Sequence, residues 1–554
     1  MACAPIANFK NLQRDSELVG HDRDDAVAVD PQRHADEAAA ERRPEHALPG
    51  IGAIARAVRG AHDEAVVVEK SVLDPIHRQR HVPAAVDPRV QRAAGIDDER
   101  FDRLARARQE ELPCLSRRQV ADDPDHDLAN RLLHDRGLPS MRPSRRPMDV
   151  SLPQLRPVEA FPVEVDGRRL ICVHDPLQYA GELLLVAAPA FFILTLLDGA
   201  HSMIDVQEAW AHRFGTTLDA ADVRRLIATL DRHHYLQSER FAAHRQSVVS
   251  TFLAAPVRPA AHAGKSYPDE PAALRRHLDG FFAGIPARTI PGTLRGLVTP
   301  HIDLRVGGAA YGHAYAALAA ASDAERFVIL GTAHQAGPAL CAATRKDFAT
   351  PLGTVATDRA FLDRLARRTP EDLYAGELLH RVEHAVEFQV VLLRHLLGER
   401  RSFSIVPLLI GSFHDMVQER RSPQSDRRVT GFVEALRATL AEDPRPSVVI
   451  AAVDLAHVGA KFGDAGGLTP ELMARTEAKD RRLVEALERT DRDGFFAEIA
   501  ADADGTRVCG FAPLYAFLGL MDGTHGRLLH YDRSRDEATD SSVSYASLAF
   551  TAGG

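Results

Sequence analysis

The sequence predicts an α/β protein. Its main part is a layered α/β/α domain over 258–554, preceded by a small winged-helix-like α+β unit over 148–240 and a linker helix over 241–257. A poorly structured segment, 1–147, comes first. Three observations carry this reading. From residue 258 onward, short apolar runs of strand character alternate with helical patterns, as in a sheet covered by helices on both faces. Three of those strands finish on a histidine. The first 147 residues, by contrast, carry Phe9 and Phe101 but no Tyr and no Trp, and are crowded with Asp, Arg, His, Ala and Pro.

The bulk numbers set the bounds. The chain has 554 residues, 45% of them hydrophobic and 26% charged, with a formal net charge of −9. That length accommodates two or three domains. The charge balance gives no reason to expect nucleic acid or an anionic membrane as partner. Cys3, Cys114, Cys172, Cys341 and Cys509 form no CxxC pair, which argues for a reducing compartment. The N-terminus lacks the shape of a signal peptide. The most apolar run, "LLLVAAPAFFILTLL", is broken by Pro189 and is shorter than the roughly 20 residues of a membrane span. It reads as a core strand followed by a helix, and a cytoplasmic protein is expected.

Residues 1–147 show neither a 3.6 nor a 2.0 hydrophobic period and bury too little apolar surface to offset the entropy of ordering. They read as a disordered tail or as sequence upstream of the true start, with Met148 the preferred start. Their scattered histidines are given no metal role. After Met148, "FPVEVDGRRLICVHD" alternates like a hairpin turning at Asp166-Gly167. Three helical patterns follow. Asp198-Gly199 closes the first, and Asp205 and Asp219 are placed as N-caps of the next two. A hairpin with three helices reads as a winged helix. The phrases "LLDG" and "LIATLDRHHYL" resemble PqqD-like peptide-recognition modules, which implies a peptide or protein docking role. DNA binding competes, but Arg224, Arg225 and Arg232 make no dense basic stripe on "AADVRRLIATLDRHH", the helix that would do the recognising.

In 258–554, "LRGLVTP", "RFVILGTAH", "SFSIVPLLIG" and "SVVIAAVDLAH" read as strands, and "AAYGHAYAALAAAS" and "VEHAVEFQVVLLRHL" as helices. His301 stands between a strand end and what reads as a turn at Gly307-Gly308. His334 ends a second strand. Asp454 and His457 end a third. The C-terminal ends of parallel strands lie along one edge, where open α/β sheets place functional groups. Cys509-Gly510 opens a helix, a position that favours a thiolate. His384 and Glu387, three apart, share a helix face. A lone histidine at a strand end is more often a capping group than a ligand, and a lone cysteine is more often a small hydrophobe. Recurrence at one edge is what shifts the balance. Two imidazoles and a thiolate suit iron, copper or zinc, and a further unligated histidine would suit acid/base work.

The stretches "HAGKSYP", "GLVTPHIDLRVGGAAYGHAY", "VILGTAH", "VEHAVEFQ", "IVPLLIG", "VDLAHVG", "VCGFAP" and "DSSVSYAS" follow one another over nearly all of 258–554. In that order they resemble the Memo family, known in prokaryotes as AmmeMemoRadiSam system protein B. The resemblance implies a fold like that of the LigB-like class III extradiol dioxygenases. It places metal ligands on His301, His334 and Cys509, the acid/base on His457 with Asp454 beside it, and Glu383, His384 and Glu387 near the pocket. It also implies iron or copper, one ion per domain with zinc ranking below, and a radical SAM enzyme and an AMMECR-type protein as partners. Ser541 and Tyr545 are read as structural. Where the family often has "GPSH" and "SSD", this chain has "GTAH" and "AVD". Gln335 stands where some members carry another histidine.

Two functions follow as expectations. One is a redox-active metalloenzyme in which His457 moves a proton while Asp454 or Glu387 orients neighbouring groups. A thiolate in place of the dioxygenase carboxylate weakens the case for ordinary catechol cleavage. The other is a non-catalytic metal- or peptide-binding adaptor whose winged-helix unit recruits a partner. A zinc hydrolase comes third, since no glutamate stands beside a ligand as in HExxH.

Overall fold

A computed structural model describes residues 66–69 and 150–553, apart from 166–167, 287–289, 399 and 538. The rest of 1–147 and the turn at Asp166-Gly167 lie outside the described residues. The chain divides into two compact units, with a boundary between Arg245 and Gln246.

In the first unit, β2 (Glu159–Val165), β3 (Arg168–His174) and β4 (Glu182–Val186) form an antiparallel sheet. A four-residue strand from the upstream segment, β1 (Val66–Glu69), adds to the edge of β4, giving the order β1-β4-β3-β2. Helices α1 (Ala188–Thr195), α2 (Met203–Phe214) and α3 (Ala220–Arg232) follow, and α4 (Glu239–Ala254) leads out of the unit. Val173, Leu184, Val186, Leu194, Val206, Val223, Leu230 and Tyr235 make the core. The periodicity located these helices, but one cap is corrected. Ser202, not Asp205, is the N-cap of α2: its hydroxyl accepts from Asp205 N while the Asp205 carboxylate accepts from Ser202 N, a reciprocal capping box. Asp219 caps α3 through Ala221 N. The buried Arg156–Asp175 ion pair, with Phe241 under the guanidinium at 4.0 Å, fixes the chain entry.

The second unit is built on an eleven-strand mixed sheet. Its elements in order are β5 (Val257–Arg258), α5 (Pro271–Phe282), β6 (Thr293–Thr299), α6 (Leu304–Ala321), β7 (Arg326–Thr332), β8 (Cys341–Ala343), β9 (Asp347–Thr350), β10 (Gly353–Thr357), α7 (Arg359–Ala366), α8 (Ala385–Leu397), β11 (Ser404–Ile410), α9 (His414–Gln418), α10 (Arg427–Glu442), β12 (Ser447–Ala452), β13 (His457–Gly459), α11 (Pro470–Glu488), α12 (Arg492–Ala501), α13 (Phe511–Leu518), β14 (His525–Asp536) and β15 (Ser541–Ala552). The order is β13-β15-β6-β12-β7-β11-β10-β9-β5, with β14 on β15 and β8 on β11. The centre, β6-β12-β7-β11-β10, is parallel. The C-terminal hairpin β14–β15 closes one side antiparallel to β6.

Two cores result because strand side chains alternate between faces. Val298, Val328, Leu330, Val406, Leu408, Val449 and Ala451 meet α10, α11, α12 and α13 on one face. Leu297, Phe327, Ile329, Ile405, Leu409, Val448 and Ile450 meet α5, α6 and α8 on the other. The strands are apolar on both faces, which is why their sequences read as unbroken hydrophobic runs.

The expected turn at Gly307-Gly308 is a helix instead. Asp303 caps α6 by accepting from Arg305 N, and the glycines fall in its first turns. Their role is close approach. A Cβ on Gly307 would lie 2.6 Å from Ile302, and one on Gly308 would lie 2.8 Å from the Phe281 ring of α5.

Candidate metal centre

Each group at the sheet edge is set by the backbone that delivers it. β6 ends at Thr299, and Pro300 stops the ladder; its carbonyl accepts from Gln389 Nε2 at 2.9 Å. The next residue, His301, is buried. Its ring Nδ1 donates to Ala452 O at 3.0 Å, which leaves Nε2 without a proton and facing Cys509 Sγ at 3.3 Å. Asp454, just past β12, accepts from the backbone N–H groups of His301 and Ile302 at 3.0 and 3.2 Å, tying the two strand ends together. Cys509 precedes α13, and Gly510 N donates to Asp454 O at 3.1 Å. A Cβ on Gly510 would lie 2.7 Å from Val453 Cβ, so glycine is what lets the thiol approach the strand.

His334 follows β7. Its backbone N and its Nδ1 both donate to the Glu383 carboxylate at 3.0 Å, again presenting Nε2 outward. The same carboxylate accepts from His384 N at 2.8 Å, Ala385 N at 3.0 Å and His384 Nδ1 at 3.1 Å. Burial alone would raise the Glu383 carboxyl, but the imidazoles of His334 and His384 hold it well below the usual carboxylate range. It is a fixed negative charge that sets the tautomers of two histidines.

The structure brings His301, His334 and Cys509 together: one donor atom from each lies within 4.8 Å of the others. Donors bonded to a common ion at 2.0–2.3 Å lie roughly 3–4 Å apart, so the set fits one small metal ion. His384 is the N-cap residue of α8 rather than part of its body. Its ring stacks on His334 at 4.6 Å and meets His301 edge-on at 5.2 Å. Its Nε2 is buried and has no hydrogen-bond partner. Burial holds the His384 imidazole down to about 3, so the ring is neutral.

His457 begins β13. Its Nδ1 donates to Leu455 O at 3.1 Å and its ring packs edge-on against Phe462. Burial, then the neighbouring His301, pushes it down to about 3 as well. Asp454 is pushed upward, chiefly by burial, with His301 opposing.

Glu387 is placed differently from the expectation that it orients groups at the centre. Its carboxylate pairs with the fully buried Arg258 and accepts from Tyr267 Oη, Ala261 N and His262 N. It locks the "RPAAHAGKSY" segment onto α8. The orienting carboxylate is its near neighbour Glu383.

Fold and site together define a layered α/β/α protein with a mixed histidine–cysteine cluster at the ends of parallel strands. A family model described as Memo-like protein matches residues 258–549, more than half of the chain. The chain belongs to the Memo-like family. Similar proteins include a MEMO1 family protein of Aquifex aeolicus, 26% identical over 396 residues, covering 71% of this chain and 99% of the relative. One from Thermus thermophilus is 28% identical over 344 residues, 62% of this chain and 97% of its own. One from Methanopyrus kandleri is 31% identical over 312 residues, 53% and 99%. The Aquifex alignment is longer than the stretch from 258 to the C-terminus, so it takes in sequence upstream of the matched block. Among the described residues no helix is long and apolar enough to cross a membrane.

Proposed function

We propose that this chain is a redox-active metalloprotein, dioxygenase-like or oxidase-like, holding one iron or copper ion on His301, His334 and Cys509. The observation that carries the reading is the pair of imidazoles whose Nδ1 atoms are committed to Ala452 O and Glu383, which makes Nε2 the acceptor nitrogen of each ring in a cluster where one donor atom from each of His301, His334 and Cys509 lies within 4.8 Å of the others. A histidine held by its other nitrogen on a carbonyl or carboxylate is the usual arrangement of a metal ligand. Bound iron or copper would supply redox capacity and Lewis acidity at this edge. The protein's own share is positional. His457 is neutral with its Nδ1 proton given to Leu455 O, so its Nε2 can take a proton from a ligand. His384 Nε2 offers a second buried acceptor. The soft sulfur donor, in place of a carboxylate, distinguishes the centre from one built for ring cleavage of catechols.

Family resemblance extends the proposal to a radical SAM-associated pathway, with this chain as AmmeMemoRadiSam system protein B working beside a radical SAM enzyme and an AMMECR-type protein. The 150–245 unit supports a second reading, an adaptor whose winged-helix, PqqD-like module recruits a peptide. Arg225 on α3 is paired with Asp222, and Arg232 donates to Thr229, which suits a protein partner better than a nucleic-acid backbone.

Anaerobic metal analysis of the full chain tests the centre. Near-stoichiometric iron or copper in the wild type, lost in Cys509→Ser and in His334→Ala, is the expected result. Wild-type protein without metal, or metal unaffected by either substitution, would leave the adaptor reading in front.

A further inference from the structure

The phrase "LIATLDRHHYL" carries two histidines that no reading of the protein so far uses. In the structure it closes α3. Tyr235 N donates to Leu230 O at 2.8 Å and His234 N to Asp231 O at 3.1 Å, the bond pair that ends a helix on a left-handed residue. That residue is His234, at φ 65°, where glycine is usual. A histidine in this conformation carries backbone strain, and the strain delivers a ring contact. The His234 imidazole lies face to face with that of His244 on α4, with centroids 3.9 Å apart and planes 2° from parallel.

The stack is part of what holds the start of α4 to the first unit. His244 Nε2 donates to Tyr179 O at 3.0 Å. Phe241, one turn earlier, meets the Tyr179 ring edge-on at 5.7 Å and lies under the Arg156 guanidinium at 4.0 Å. Arg156 in turn donates to His234 O at 2.6 Å.

Positive charge suits this stack badly. His234 Nδ1 is buried and has no hydrogen-bond partner. An imidazolium carries a hydrogen on both nitrogens, so protonating His234 leaves a buried N–H without an acceptor. The charged and titratable groups around the pair are Asp231 on α3, Arg240 on α4, Arg156 from the entering chain, and Asp175 and Tyr179 between β3 and β4. Asp231 is already paired with Arg240 at 3.2 Å, and Asp175 with Arg156 at 3.1 Å. Burial, then His244 and the two arginines, hold the His234 imidazole below its usual 6.5, with Asp231 opposing. The unfolded chain therefore takes up a proton that the folded unit resists, and stability is lost as pH falls below 6.5.

We propose that the His234–His244 stack is a pH-sensitive latch. It clamps the start of α4 to the first unit while both rings are neutral and releases it when acidification charges one of them. The latch is independent of the metal centre.

The test is urea denaturation of the full chain at pH 7.5 and pH 5.5, followed by tryptophan fluorescence. The chain's single tryptophan, Trp210, lies on α2, so the signal reports the first unit. His234→Asn and His244→Gln are run in parallel. Asparagine suits the left-handed position, glutamine keeps a donor for Tyr179 O, and neither can be charged. Between pH 7.5 and 5.5 the wild-type unfolding constant should rise about threefold or more beyond the change in either variant. Deuterium exchange of peptides covering 240–245, corrected for the intrinsic effect of pH, should show α4 opening at pH 5.5 in the wild type and staying protected in the variants. If one variant fails to fold, the other carries the comparison. The same pH response in wild type and variants, or a wild-type α4 equally protected at both pH values, would overturn the proposal.

Discussion

Replacing Glu383 by glutamine tests whether the centre is organised from behind. The carboxylate accepts five donors: the backbone N–H groups of His334, His384 and Ala385, and the Nδ1 atoms of His334 and His384. Glutamine keeps the shape but offers one acceptor oxygen and turns two donor hydrogens on its neighbours. If that oxygen stays with the helix N–H groups, the His334 imidazole loses its partner and the tautomer that frees Nε2 is no longer imposed. Losing an outer carboxylate of this kind typically costs 10–100-fold in metal affinity, about 1.4–2.8 kcal/mol at 1.4 kcal/mol per decade. Competition titration against a chelator of known affinity, with Fe(II) under anaerobic conditions, measures it directly. An E383Q affinity within about threefold of wild type, with the fold intact by circular dichroism, would refute the claim that this carboxylate prepares His334 for a metal.

The other expectations concern the scaffold. Arg258 is fully buried against Glu387, so Arg258→Met should cost about 3–5 kcal/mol in urea denaturation by stranding that carboxylate; the double variant with Glu387→Met should recover part of the loss. Gly312→Ala places a methyl against the Phe281 carbonyl between α5 and α6 and should destabilise by about 1–3 kcal/mol, read as a lowered Tm. Asp480, buried on α11 with Tyr531 Oη donating to it at 2.9 Å, is pushed by burial up to about 6. Between an unfolded value near 3.8 and about 6 the folded state holds the extra proton, so this group's contribution to stability falls as pH rises through that window. Asp480→Asn should therefore raise the unfolding free energy in urea denaturation relative to wild type more at pH 7.5 than at pH 4, by an amount on the order of 1–3 kcal/mol. An equal difference at both pH values would show that its burial is not felt as a charge penalty.

Much of the second unit was legible in the sequence because its parallel strands are apolar on both faces and end in polar text. His301, His334 and Asp454 could be placed at strand ends from that pattern, and Cys509 at a helix opening. What the pattern did not separate was the work of Glu383 from that of Glu387. Helical spacing pairs His384 with Glu387, yet α8 begins only at Ala385, so His384 turns with the preceding loop toward Glu383 and His334. Glu387 is claimed by Arg258, some 130 residues upstream, a distance at which no local pattern speaks. The glycines after His301 resembled a turn because glycine is ambiguous in sequence; only the neighbour α5, also distant in the chain, shows that they are there to admit another helix. Ser202 was passed over as a cap because Asp205, the stronger acid, stands where the reciprocal partner of a capping box belongs.

The hydrogen-bonded pair Cys509 Sγ and His301 Nε2 are 208 residues apart along the chain. No nascent fragment that stops short of Cys509 can contain the complete donor set, however well its strands have formed. Capture of an ion through all three donors therefore has to wait until the strands that deliver His301 and His334 have been made and the chain has been extended a further 175 residues, from 334 to 509.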